Sequence, residues 1–241
     1  MQRDDDGPDT IADLFRAIEA GDVDKVRELL GVNPKFAAAR NKDGMSALLW
    51  AAYYRKPAIA EVLLASGAKQ DVFECAALGL VDRLEDLLGA DRDLVSRYSP
   101  DGWTPLHLAA HFGQLEAMQV LLSEGASHRA VSKNSNANQP LQAAAAGGRT
   151  AAVALLLKAG VEVDARSHGG FTALHLSAQS GIVDMVRALL NAGADPGATT
   201  EAGKTPLDFA VAGDRGEAVE ILEKALAPPS GARTKRPAKR R

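Results

Sequence analysis

One four-residue phrase returns along this chain, and its interval limits the possible folds more than any other feature. It reads Thr104-Pro105-Leu106-His107, Thr172-Ala173-Leu174-His175 and Thr205-Pro206-Leu207-Asp208, with a weaker copy at Ser46-Ala47-Leu48-Leu49. Fifteen residues beyond the leucine comes a leucine pair, as at Leu63-Leu64, Leu121-Leu122 and Leu189-Leu190. Taking the leucine as a marker gives Leu14, Leu48, Val72, Leu106, Leu141, Leu174 and Leu207, spaced by 34, 24, 34, 35, 33 and 33 residues. Self-similarity at such a period means that one supersecondary unit is stacked repeatedly on itself.

The unit can be built from local rules. Threonine is suited to satisfy the free amide hydrogens of a helix start, and proline is tolerated in the first turn, where its missing N–H has no partner to lose. Seven residues after the marker stands a glycine, at Gly21, Gly79, Gly113, Gly148 and Gly181, suited to the left-handed conformation that ends a short helix. A second helix follows, apolar at Leu115, Met118, Leu121 and Leu122 in one copy, and ends at a Gly-Ala such as Gly125-Ala126. Small residues such as Ala109, Ala110, Ala143, Ala144 and Ala145 let first helices approach closely. Helices this short are not stable alone, so each pair must be held by its neighbours. The expectation is an all-α solenoid of about seven helix-pair units over residues 9–226, with residues 1–8 and 227–241 disordered.

The combined Thr-Pro-Leu-His phrase, closing glycine and leucine pair followed by Gly-Ala resembles the ankyrin repeat family, best in residues 99–126 and 167–194. The resemblance implies L-shaped units with a hairpin-like loop projecting from each helix pair. It also implies binding of a partner protein through the loop tips and the concave surface of the first helices. Thr104, Pro105, Leu106, His107, Gly113, Thr172, Leu174, His175, Gly181, Thr205, Pro206 and Leu207 then carry the structural motif.

Two units depart from the pattern. Only 24 residues separate Leu48 from Val72, which leaves no room for a projecting loop near residues 65–71, and Asp71 reads as the cap of the next helix. Arg55 stands where other copies have glycine, and Pro57 is placed to start a second helix. This irregular pair is either drift or a specialised surface. In the fifth unit the phrase becomes Gln139-Pro140-Leu141-Gln142, and the polar run Lys133–Asn138 is expected to hold the extra length.

No catalytic constellation is legible. Gly203-Lys204-Thr205 matches the end of a nucleotide-binding loop, but Ala198 occupies the place of its first glycine and no strand precedes it. His107 and His175 repeat at one motif position and read as structural hydrogen-bonders; no cofactor and no metal are expected, and the chain reads as no enzyme. Cys75, the only cysteine, sits in an apolar-periodic segment and reads as a buried packing thiol. No apolar stretch is long enough to span a bilayer.

Binding positions follow from the register. The residue before the motif threonine and the two before the turn glycine are free of structural duty. On that basis Met45, Tyr53, Tyr54, Trp103, His111, Phe112 and Phe171 are candidates for partner contact, since rigid aromatic side chains carry much interface energy. Trp103 and Phe112 have a plainer reading as covers for gaps between repeats, and Trp50 aligns with a packed position and reads as core. Net charge is −3, yet Arg233, Lys235, Arg236, Lys239, Arg240 and Arg241 crowd the last eleven residues and leave the remainder at −9. The leading expectation is a monomeric, cytoplasmic scaffold or regulatory adaptor that binds another protein. The alternative is a nuclear or nucleic-acid-associated adaptor whose basic tail makes a weak nucleic-acid or acidic-partner contact, nuclear if the tail is an import signal.

Overall fold

Every first helix begins on a side chain placed to accept hydrogen bonds from its opening turn. In the computed structural model, which describes residues 10–227, the oxygens of Thr10, Ser46, Asp71, Thr104 and Thr205 do so. At Gln139 and Thr172 the residue three further on returns the bond, from the backbone N–H to Gln142 Oε1 and to His175 Nδ1. Residues 1–9 and the basic tail from residue 228 lie outside the described residues.

The described residues form two compact units, one ending at Val161 and the other beginning at Glu162. The first holds five helix pairs: α1 (Ile11–Ala20) and α2 (Val23–Val32), α3 (Ala47–Tyr53) and α4 (Pro57–Ala65), α5 (Val72–Leu78) and α6 (Val81–Ala90), α7 (Pro105–Phe112) and α8 (Leu115–Ser123), α9 (Pro140–Ala146) and α10 (Thr150–Lys158). The second holds two: α11 (Ala173–Ser180) with α12 (Val183–Asn191), and α13 (Pro206–Ala212) with α14 (Gly216–Leu226). Within the first unit α1, α3, α5, α7 and α9 stack in sequence, and α11 packs on α13 in the second. The fold is thus all-α, fourteen helices in seven pairs among the described residues. Isolated pairing of Arg40 with Ser46 is the one β-bridge there.

Burial follows the small-and-large division of the sequence. Ala109, Ala110, Ala143, Ala144 and Ala145 are completely buried where first helices meet. Of each leucine pair the first member, Leu63, Leu121, Leu156 or Leu189, is completely buried and the second is half-buried. Filling the seam with a leucine stabilises by about 1.5–3 kcal/mol per side chain.

The turn after each first helix is left-handed in all seven pairs, and two of them achieve it without glycine. Gly113 has φ +79°, while Arg55 and Asp214 sit at +54° in the equivalent place. Side chains there crowd the following carbonyl, so both positions are strained.

Short closed fingers join the pairs. Gly102 N–H donates to Ser99 O and Ser99 N–H to Trp103 O; the same two bonds close residues 41–45, 167–171 and 200–204. In the fifth repeat the closure runs from Ser132 to Asn138, six residues apart instead of four, so the extra length does lie in that finger. No finger fits between Gly67 and Asp71. The tips on either side of the gap are neighbours: a methyl group on Gly44 would lie 3.4 Å from Pro100 Cβ.

Candidate partner-binding surface

The motif histidines serve the scaffold. His107 is completely buried; its Nε2–H donates to Asn138 O of the next finger at 2.9 Å, which leaves Nδ1 to accept from Thr104 Oγ1 at 2.7 Å. Burial pushes its pKa down to about 4, so it is neutral at neutral pH. His175 repeats the arrangement with Thr172 Oγ1 and Lys204 O. In the third copy Asp208 accepts from the backbone and hydroxyl of Thr205, and those bonds lower its pKa. Cys75 is completely buried, its thiol pushed up to about 12 by burial and the nearby Glu74 charge. Among the described residues no group of His, Cys, Asp or Glu could hold a metal ion. No described helix is long and apolar enough to cross a membrane.

Four of the candidate contact residues come together. Tyr53 packs on Phe112 with ring centroids 5.2 Å apart and on Trp103 at 6.3 Å; His111 lies 5.0 Å from both Trp103 and Phe112. The Tyr53 hydroxyl donates to Asp101 on the far side of the missing finger. Burial and the Asp101 charge drive the phenol well above its usual pKa range. The cluster thus joins the second and fourth pairs across the junction that lacks a finger.

The candidates differ in what they offer a partner. Met45 and Trp103, each at the closing position of its finger, are buried, at 3% and 6% exposure. Tyr53, His111 and Phe112 are half-buried, and Tyr54 is 41% exposed. In the second unit Phe171 is half-buried against Phe209, 5.3 Å between centroids.

Trp50, expected in the core, is half-buried instead. It packs edge-on against Phe15, stacks near Tyr54 at 5.2 Å and donates from Nε1 to Glu19 at 3.1 Å. With exposed Ile11 it floors a cleft of about 610 Å³ beside the 41–44 finger. A signal existed in the two aromatic residues, Phe15 and Trp50, that follow successive markers.

A second set of residues escaped sequence reasoning. Gln114 Nε2 donates to Ala77 O, Arg149 Nε to His111 O and Arg215 Nε to Gln179 O, at 3.1, 3.1 and 3.2 Å. Each donor directly follows a left-handed turn residue, and each acceptor lies two residues before the turn of the preceding pair. Carbonyls at the end of one first helix, which lack helical partners, are thus capped by the next repeat. Lys56 holds the same position, its Nζ 2.6 Å from where a Cβ on Gly21 would stand.

The fingerless junction has its own polar core. Glu74 is 1% exposed, accepts from Asp71 N–H at 3.1 Å and receives the Ser46 hydroxyl from the preceding pair. Burial, then the hydrogen bond and charge of Asp71, raise its pKa to about 7. Asp71 goes the other way despite burial: hydrogen bonds from Glu74 and from the Phe73 and Glu74 N–H groups, with Arg40 at 3.4 Å, hold it low.

Comparison with known proteins agrees with this repeat geometry. Family models described as ankyrin repeats match residues 72–167 and 156–210. A putative ankyrin repeat protein, FPV014, of fowlpox virus (strain NVSL) is 29% identical over 172 residues, covering 68% of this chain and 39% of the viral protein. The tyrosine-protein kinase Shark of Drosophila melanogaster is 32% identical over 153 residues, 60% of this chain and 16% of the kinase. The E3 ubiquitin-protein ligase XB3 of Oryza sativa subsp. japonica is 36% identical over 99 residues, 41% of this chain and 22% of the ligase. The chain therefore spans well under half the length of each.

Proposed function

Since the chain belongs to the ankyrin-repeat family, whose modules typically mediate protein–protein interaction, we propose that it is a scaffold or regulatory adaptor that binds a partner protein through the inner face of its first helices. One observation carries the reading: Trp50, Leu78 and Phe112 on successive short helices of the first unit, with Tyr54 just past the end of α3, present partly exposed apolar side chains. The helices that carry Leu78 and Phe112 are fixed by a cap at one end and by a bond from the next repeat at the other. Such pre-ordered aromatic side chains lose little entropy on binding. Buried Trp103 packs against Tyr53 and His111 beside this face. Fingers 41–44 and 99–102 would flank the partner.

The test is affinity capture from the source cell with mass spectrometry, comparing the full chain with Tyr54→Ala plus Phe112→Ala. Circular dichroism first establishes that the variant is folded. Loss of captured proteins is expected; an unchanged set defeats the proposal. Six cations in the last eleven residues support a second role for the tail, in nuclear import or a weak nucleic-acid contact. Deleting residues 228–241 would then abolish nuclear accumulation or nucleic-acid retention without altering partner capture. Without such a signal the protein works in the cytoplasm.

A further inference from the structure

Arg55, Lys56 and Arg149 line one cleft at the turn end of the second to fifth first helices, over a floor that includes Leu78 and Phe112. No carboxylate lines it. Among the described residues none of the three cations makes an ion pair with an acid. The three thus gather positive charge in a chain that carries −9 ahead of its basic tail.

The backbone gives a second reason to single out Arg55. It occupies the left-handed turn position that glycine fills in five of the pairs, at φ +54°. An arginine there costs stability that glycine would not. Arg149, which also lines the cleft, is fixed by its bond to His111 O. Burial first, and then the charges of Arg149 and Arg55, hold the nearby His111 below its ordinary pKa. The cleft, about 170 Å³, has room for a single side chain rather than a folded surface.

We propose that this cleft receives an acidic segment of the partner protein, with an aspartate or glutamate held between Arg55 and Arg149 and a neighbouring apolar side chain on Leu78 and Phe112. The inference rests on the protein-binding reading above and adds the chemistry of the partner. Complementary charge would bring the segment in quickly, and the apolar contact would hold it.

A phage-displayed library of random peptides panned on the full chain tests it. Enriched peptides should carry Asp or Glu within two or three residues of a bulky apolar residue. By fluorescence anisotropy a synthetic enriched peptide should bind about tenfold more weakly to Arg55→Gly. Changing its acidic residues to amides, or raising the salt, should weaken it similarly. Arg55→Gly relieves the backbone, so its melting temperature should not fall, and lost affinity would not reflect unfolding. Neutral or basic enriched peptides, or affinity indifferent to Arg55→Gly, overturn the proposal. If such peptides still depend on Tyr54 and Phe112, the broader reading survives; no enrichment at all removes both. Heparin or DNA binding more tightly than any peptide through the same cations would also overturn it.

Discussion

Arg149 Nε donates to the carbonyl oxygen of His111 at 3.1 Å, joining the turn of one repeat to the helix end of the one before. The ring of His111 is tied in the same direction, Nδ1 to Ala143 O at 3.3 Å. Gly147 closes the contact, since a Cβ there would stand 2.1 Å from His111 O. Arg149→Ala should cost about 1 kcal/mol, read as a lower melting temperature, while Arg149→Gln should keep part of the bond as Gln114 does. Gly147→Ala should cost more, about 2–3 kcal/mol, because backbone must move.

Left-handed turns without glycine should be improvable. Arg55→Gly and Asp214→Gly, both at φ +54°, should each raise stability by about 0.5–1 kcal/mol, the relief of side-chain crowding offset in part by the freer unfolded chain. Urea titration checks both. A fall in midpoint for either would show that the native side chain supplies a compensating contact.

Tyr53 and Asp101 should be energetically coupled across the missing finger. Tyr53→Phe leaves a half-buried carboxylate short of a donor and should cost about 1–3 kcal/mol. Tyr53→Phe combined with Asp101→Asn should cost less than the two separately, and a double-mutant cycle measures the difference. Strict additivity would show that the hydroxyl bond contributes nothing.

Stability against pH should carry two opposed contributions. Glu74 has a raised pKa of about 7 against an ordinary 4.5, so its share is present below about pH 4.5 and is lost as pH rises through 7. His107 is depressed to about 4 from 6.5, so its share is present above pH 6.5 and lost as pH falls through 4. Glu74→Gln should therefore gain on the native chain steadily between pH 5 and 8, by roughly 1–2 kcal/mol at the upper end. Gln142 already fills the same cap position in the fifth repeat. His107→Gln should flatten the acid limb below pH 6. Denaturant midpoints across this range decide both.

Caps, turns and helix pairs were legible because they recur: threonine at Thr104, Thr172 and Thr205, and glycine seven beyond five of the seven markers. Asp71 as a cap and Pro57 as a helix start could be read even where the unit is damaged, since both rest on backbone rules of a few residues. Burial of Met45 could not, and that of Trp103 was one of two readings: the position before a capping residue does not fix which way its side chain turns, since Phe171 in the same place is half-buried. Tyr53 meeting Asp101 depends on a neighbour's absence, which no local pattern records. The donors Lys56, Gln114, Arg149 and Arg215 share a place but not a chemistry, so a periodicity sought in residue identity passes over them.

The bonds made by Gln114 and Arg149 span 37 and 38 residues, about one repeat. Pulled from its ends, the first unit should therefore come apart like a zip, one helix pair per step, with the weakest tooth where the finger is missing.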